Sequence, residues 1–266
     1  MEDLTHVNWE KGINKSGTPG CYFKACIENK YYKLSSFDTV HGFFGHEAFN
    51  EVIVSRLGNI LGINTLVQVL KEVQVNVRGQ RYTTYACKSD NYISREEKRS
   101  TFENFYITYR KQGEDIYKFI ARCGLNNWFN IMFVLDYIIV NRDRHGANIE
   151  VLVKPDRSLR LAPYFDNGLS FVCTITKDLP DYKDRVRNTN PFQDTPVNNY
   201  VGTRSLQSNL DLITEPVRLH KLKKEHKRNI FYGMHKELGD IYIEKIWQII
   251  TYRYMFLKKR GIVIDD

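Results

Sequence analysis

An apolar stretch from Trp128 to Val140 runs directly into the polar segment Asn141 to Asn148, and this junction constrains the fold more than any other part of the chain. The stretch is interrupted only by Asn130 and Asp136 and falls short of the ~20 residues that span a bilayer. It therefore predicts a helix that is apolar on nearly all sides and central to a folded core. After Asn148, the runs Glu150 to Val153 and Leu159 to Pro163 flank the turn Lys154 to Ser158 and predict a small hairpin. Tyr164, Phe165, Asp166, Asn167 and Gly168 follow. The 18 residues from Asn148 to Asp166 suit a two-strand hairpin, which returns Asp166 to the mouth where Asp143 and Asn148 lie.

That constellation suits a defined chemistry. Phosphoryl transfer from ATP needs a carboxylate to orient and deprotonate the acceptor hydroxyl, and oxygen ligands to hold magnesium on the triphosphate. In protein kinases the catalytic Asp precedes a metal-binding Asn by five positions, and a second Asp followed by Gly lies beyond a short hairpin. Asp143, Asn148 and Asp166 keep that order, which makes Asp143 the candidate catalytic base and Asn148 and Asp166 the candidate metal ligands. Each residue taken alone has a plainer reading, as a cap or turn residue. The conjunction behind an apolar helix carries the inference.

The first half should then supply a phosphate cover and a lysine. Cys21 to Ile27 and Tyr31 to Ser35, joined by the turn Glu28 to Lys30, predict a hairpin. Glu47 to Leu61 has helical apolar spacing and a stop at Gly62. Val67 to Val77 and Gln80 to Cys87 predict a second hairpin about Arg78 and Gly79. Lys33, mid-strand, is the candidate for the nucleotide phosphates, with Lys24 and Lys30 as competitors. Glu51 is its candidate partner on the helix, with Glu47 as competitor one turn away. The segment Ser16 to Gly20 could drape backbone N–H groups over phosphates. It makes Ser16, Gly17 and Thr18 candidate nucleotide contacts, and the Ser16 and Thr18 hydroxyls candidate self-phosphorylation sites.

Beyond Asp90 to Arg99 the pattern turns helical, so the expected domains are residues 1–88, a small mainly β nucleotide-binding lobe, and 89–266, a larger mainly helical catalytic lobe. The fold class is α+β, two-lobed and protein-kinase-like. Phe102 to Cys123 predicts one helix, residues 174–204 a long loop, and residues 216–260 a return to helix that includes the basic stretch His220 to Arg228. The formal charge of +8 is a mild excess without a basic tail, which favours phosphorylated ligands and argues against direct nucleic-acid binding. With 42% hydrophobic residues the chain is globular. The segment MEDLTHVNWE has neither a basic n-region nor an apolar h-region, and five cysteines without metal spacing read as reduced thiols. A cytoplasmic protein without a membrane partner is expected.

Asn141, Asp143, His145 and Asn148, followed by Leu161, Pro163 and Asp166, resemble the N-x-D-x-H-x-x-N and L-x-P-x-x-D motifs of HipA-type serine/threonine kinases of bacterial toxin–antitoxin systems. Tyr32 to Ser35 resembles that family's nucleotide-lysine strand, and Asn50 and Glu51 before Leu61, Gly62 and Ile63 resemble its N-E helix. The likeness covers roughly residues 14–175. It implies ATP and magnesium as cofactors, Asp143 as base, Asn148 and Asp166 as magnesium ligands, Lys33 as the ATP lysine and His145 beside the phosphates. His145 as a buried structural histidine is the alternative. The resemblance further implies a hinge at Tyr85 to Lys88 meeting the adenine, a protein substrate and an antitoxin partner. The chain looks like a compact form without the N-terminal subdomain of that family, and Ser16 to Gly20 lacks its Gly-x-Gln-x-Lys pattern. Two other functions remain open. Asp143, Arg144, His145 and Asn148 also resemble the D-R-H-x-x-N loop of phosphoinositide kinases, and the basic stretch would suit a non-catalytic nucleotide-binding or DNA-associated regulator.

Overall fold

Alternation along the early strands decides where the chemistry goes. The computed structural model describes residues 1–9 and 23–266, so Ser16, Gly17 and Thr18 lie outside the described residues. Strand β1 (Glu2–Leu4) is followed by β2 (Lys24–Ile27) and β3 (Lys30–Leu34), the last two paired antiparallel across Glu28 and Asn29, both at positive φ as a two-residue hairpin requires. Tyr32 and Leu34 point into a small core with Leu4, Trp9 and Val75. Lys33, between them, must face the other side of the sheet. Two short strands, β4 (Phe37–Asp38) and β5 (Gly42–Phe43), lead into helix α1 (Glu47–Leu61).

Helix α1 ends at Gly62, whose φ of 74° supplies the left-handed cap. Strands β6 (Val69–Val77) and β7 (Gln80–Asp90) complete a five-stranded sheet in the order β1-β6-β7-β3-β2. Helix α1 packs on β7, and Gly58 permits its closest approach to the next segment, since a Cβ there would fall 2.2 Å from Thr65 Oγ1. The buried face of α1, with Val52, Ile53 and Leu57, belongs to the large core that continues into the second lobe. The helix is thus a shared wall between the sheet and that lobe.

The second lobe begins with β8 (Lys98–Thr101), α2 (Phe102–Tyr109) and α3 (Ile116–Arg122). One continuous helix over 102–123 was the expectation, and the chain breaks it at Gly113, φ 72°. Asp115 then recaps it, its carboxylate accepting from the Tyr117 and Lys118 amides. Helix α4 (Asn126–Ile139) is the apolar central helix. It leads through β9 (Asp143–Arg144) to β10 (Glu150–Val153) and β11 (Leu159–Leu161), which pair antiparallel and join β8 in a three-stranded sheet.

Residues 174–204 are not a bare loop. They hold α5 (Tyr182–Asn188) and β12 (Asn198–Asn199), the latter pairing parallel with β9. Buried Arg253 orders the segment from a distance, donating to the carbonyls of Pro191 (2.7 Å) and Gln193 (2.5 Å). Helix α6 (Leu206–Asn209), strand β13 (Val217–Leu219), helices α7 (His226–Ile230), α8 (His235–Leu238) and α9 (Asp240–Lys259), and strand β14 (Val263–Asp265) finish the chain. The return to helix after 216 is therefore preceded by a strand, β13, which pairs parallel with β14. Among the described residues no helix is long and apolar enough to cross a membrane.

Candidate active site

Lys33 crosses the interlobe gap. Its Nζ lies 2.7 Å from Glu51 Oε1 on α1 and 2.7 Å from Asp166 Oδ1, a residue 133 positions away. Glu51 is fixed from its other oxygen, where Oε2 accepts from Gln68 Nε2 at 2.8 Å and from the Asn167 amide at 3.0 Å. Burial works against the Lys33 ammonium, but the Asp166 and Glu51 carboxylates outweigh it and hold its proton more tightly than in an ordinary lysine. Burial alone would raise the Asp166 carboxyl, yet Lys33, and after it Lys24 at 3.7 Å from Oδ2, hold it below the usual carboxylate range. The competitors separate by geometry. Glu47 turns to Ser36, accepting from its amide and hydroxyl, while Lys24 joins the edge of the same cluster and Lys30 is exposed.

Three non-glycine residues with left-handed backbone frame the polar loop: Val140, Asp166 and Phe171 at φ 54°, 59° and 59°. For a β-branched residue such as Val140 that conformation is costly and must be imposed by its surroundings. Here the Phe171 amide donates to Ile139 O at 2.7 Å and the Arg142 amide to Leu169 O at 3.1 Å, so the end of α4 and the segment after Asp166 hold each other.

Arg144 is the keystone of that arrangement. Its side chain is fully buried and donates to Asp136 Oδ1 (2.8 Å) and Oδ2 (3.1 Å), Phe165 O (2.8 Å) and Asn167 Oδ1 (2.7 Å). Burial disfavours its charge, and the Asp136 carboxylate more than compensates. Asn141 adds a 2.9 Å bond to Asp136 and accepts from the Asp143 amide at 3.2 Å. One guanidinium thereby locks the Asp143 loop to both residues flanking Asp166.

Asp143 is half-buried. Its Oδ1 accepts from Asn198 Nδ2 at 2.8 Å and its Oδ2 lies 3.6 Å from His145 Nε2. The Ala147 amide donates to His145 Nδ1 at 3.2 Å, which places the proton of the neutral ring on Nε2. His145 is not a buried structural histidine, since its side chain is 40% exposed. Asn148 Nδ2 donates to the Asp143 carbonyl at 2.9 Å, so the amide orientation is set and its oxygen faces away from that bond. The Tyr92 hydroxyl donates to Glu150 Oε2 at 2.6 Å while its ring stacks on Phe165 at 5.8 Å, walling the site beside Asp166.

The structure thus brings Lys33, Glu51 and Asp166 together, and joins the loop of Asp143, His145 and Asn148 to them through Arg144. The hinge expected at Tyr85 to Lys88 is corrected: these residues lie inside β7, laddered to β6 and, from Ala86 onward, to β3 as well, so their backbone is committed to the sheet. Gln68 and Asn198 were not named from sequence, and Asp136, Arg144 and Asn167 were named without the pairing that the structure gives them. Asp136 carried a usable signal, because a lone acid on an otherwise apolar buried helix requires a cation partner. Asn198 carried none.

Hard oxygen donors suit magnesium, which is held by one or two side chains together with substrate phosphates. An ionised Asp166 and an oriented Asn148 carbonyl fit that role. Among the described residues no three His, Cys, Asp or Glu side chains converge as a metal cage.

No protein-family model matches the chain, and no curated protein matches its sequence. Among solved structures, the chain is similar to a Helicobacter pylori proinflammatory kinase, CtkA, with a TM-score of 0.60 and 14% identity over 98% of this chain and 96% of that one. The likeness establishes the fold, which is α+β, two-lobed and kinase-like, as expected from the sequence.

Proposed function

We propose that the protein is an ATP- and magnesium-dependent serine/threonine kinase of HipA-like type. The observation that carries this reading is the Lys33 ammonium held at 2.7 Å by both Glu51 and Asp166. A strand lysine paired to a helix glutamate, beside an acid that follows a short hairpin, is the arrangement protein kinases use for phosphoryl transfer. The overall likeness to a structure described as a kinase supports it.

In this reading Lys33 meets the nucleotide phosphates, and Glu51, itself bonded by Gln68 and Asn167, keeps the ammonium aimed. Asp166 and Asn148 would hold magnesium, which would supply positive charge against the negative charge that develops in phosphoryl transfer. Asp143 orients the acceptor hydroxyl and takes its proton at Oδ2, since Oδ1 is engaged by Asn198. His145 sits beside Oδ2, with its Nε2 at 3.6 Å from that oxygen. Arg144 keeps both halves of the site in register. The reading assigns the protein to the cytoplasm, with a protein substrate and an antitoxin partner.

Incubation with labelled ATP, magnesium and a panel of protein acceptors tests it. The wild type transfers phosphate to Ser or Thr, and Asp143→Ala lowers turnover by about three orders of magnitude with nucleotide binding retained. Equal background rates for the two proteins would reject the kinase reading, and label in lipid vesicles in place of protein would move it to a phosphoinositide kinase. Induced expression of the wild type, but not of Asp143→Ala, arrests growth if the toxin role holds.

A further inference from the structure

The carboxylate oxygen that Asp143 does not offer to the acceptor is held by a residue from the second half of the chain. Asn198 Nδ2 donates to Asp143 Oδ1 at 2.8 Å. Two backbone bonds bracket this contact: the Asn198 amide donates to Arg142 O at 2.8 Å and the Tyr200 amide to Arg144 O at 3.0 Å, which puts Asn198 directly opposite Asp143 in the β12–β9 pair. The strand is anchored on both sides, because Val197 and Val201 are buried. Tyr200 packs edge-on against Phe102 and against Gly146, where a Cβ would stand 3.3 Å from its ring. Upstream, Arg253, itself 1% exposed, fixes the carbonyls of Pro191 and Gln193. Asn198 is therefore delivered to Asp143 by a rigid element, although its own side chain is open to solvent.

The chemistry of an amide at this place is specific. A lysine or arginine would neutralise Asp143 and weaken it as a base, whereas a neutral donor leaves the charge in place. Bonded to Oδ1 only, the amide stops the carboxylate from turning and leaves Oδ2, with His145 Nε2 at 3.6 Å beside it, for the acceptor proton. We infer that Asn198 is a positioning residue for Asp143, so that the segment after α5 controls whether the base is aimed at the acceptor hydroxyl. This rests on the phosphotransfer reading above and deepens it. The backbone bonds between β12 and β9 do not need the amide, so the strand stays paired when the side chain is changed.

The test compares wild type, Asn198→Ala and the isosteric Asn198→Asp in steady-state phosphotransfer, with kcat and KM for ATP read separately and thermal unfolding as a control. Asn198→Ala keeps its Tm and its KM for ATP and loses roughly ten- to hundredfold in kcat, the range of a hydrogen bond to a charged group. Asn198→Asp keeps the size of the side chain but offers no N–H to Asp143 Oδ1, so its kcat falls at least as far while its Tm and its KM for ATP are kept. A wild type that turns over while Asn198→Ala or Asn198→Asp stays within about twofold in kcat, or a loss that appears in KM for ATP in place of kcat, overturns the inference and leaves the kinase reading standing. A wild type without ATP-dependent transfer to any acceptor overturns that reading, and the inference with it.

Discussion

Two charged clusters meet behind the same loop, and they differ in how far each is sealed. Arg144 and Asp136 have side-chain exposures of 0% and 2%, and the guanidinium donates only to fixed protein acceptors. Lys33 and Asp166 are 18% and 23% exposed, and Asp166 shares itself between Lys33 and the solvent-facing Lys24. A sealed pair cannot change partners without leaving a bare charge in the core, so it serves as frame. A cluster at the lip of the cleft can trade an ammonium for another cation as its surroundings change. The difference teaches that the rigid part of this site is the Arg144 keystone, and the adjustable part is the lysine–carboxylate cluster it holds in place.

The largest effect expected from that contrast is on stability. Arg144→Leu strands the Asp136 carboxylate in the core and lowers unfolding free energy by about 3–5 kcal/mol, measured by urea titration. Asp136→Leu combined with Arg144→Leu removes both charges and recovers part of the loss, although Asn141 and Asn167 still lose partners. A single variant within about 1 kcal/mol of wild type would mean that Arg144 is no keystone.

Lys33→Met should cost less, about 2 kcal/mol near neutral pH, and its cost should depend on pH. In the wild type the Asp166 carboxyl is held low, so its contribution is complete above the unfolded value of about 3.9 and is lost as pH falls further toward the folded one. The Lys33 proton is held tightly, so its contribution is complete below the unfolded value of about 10.4 and is lost only as pH rises through the folded one. The cluster is therefore fully effective from about pH 4 to pH 10. In the variant, burial governs Asp166 and favours the protonated acid, so stability drains away as pH climbs from acid to neutral. The gap between the urea midpoints of the two proteins should be narrower at pH 3 than at pH 7. A gap that stays constant over that range would show that Lys33 stabilises through packing of its stem alone.

Most of the fold was legible in the sequence because it depends on local chemistry. Glu47 to Leu61 announces itself by apolar spacing and Gly62, and the hairpins by residues that tolerate positive φ. The order Asp143, Asn148, Asp166 could be read because hairpin length fixes where the last of them returns. What escaped depends on pairing across long separations. Residues 174–204 look like a loop since their polar backbone groups are met by Lys245 and Arg253 of α9, side chains 56 to 62 positions away. Tyr85 to Lys88 were given as a hinge by the family resemblance alone, whereas the residues themselves placed Gln80 to Cys87 in a strand, which β7 bears out. Asn198 is one asparagine among several in a polar stretch, and only the parallel register with β9 makes it opposite Asp143.

The smallest effect is the sharpest check on which cluster is open. Lys24 is 47% exposed and stands 3.7 Å from Asp166 Oδ2, beyond good hydrogen-bond reach. Such a pair contributes roughly 0–0.5 kcal/mol, because solvent screens it and a long side chain must be held in one geometry. Lys24→Ala should therefore leave the urea midpoint nearly unchanged while moving the Asp166 carboxyl titration, followed by carbon NMR, upward from its low position. The two readouts part company because a half-solvated charge influences a buried acid without being needed to keep the chain folded. If Lys24→Ala destabilises as strongly as Lys33→Met, Asp166 depends on both lysines equally, the cluster is as closed as the Arg144 keystone, and no cation can be exchanged there without loosening the fold.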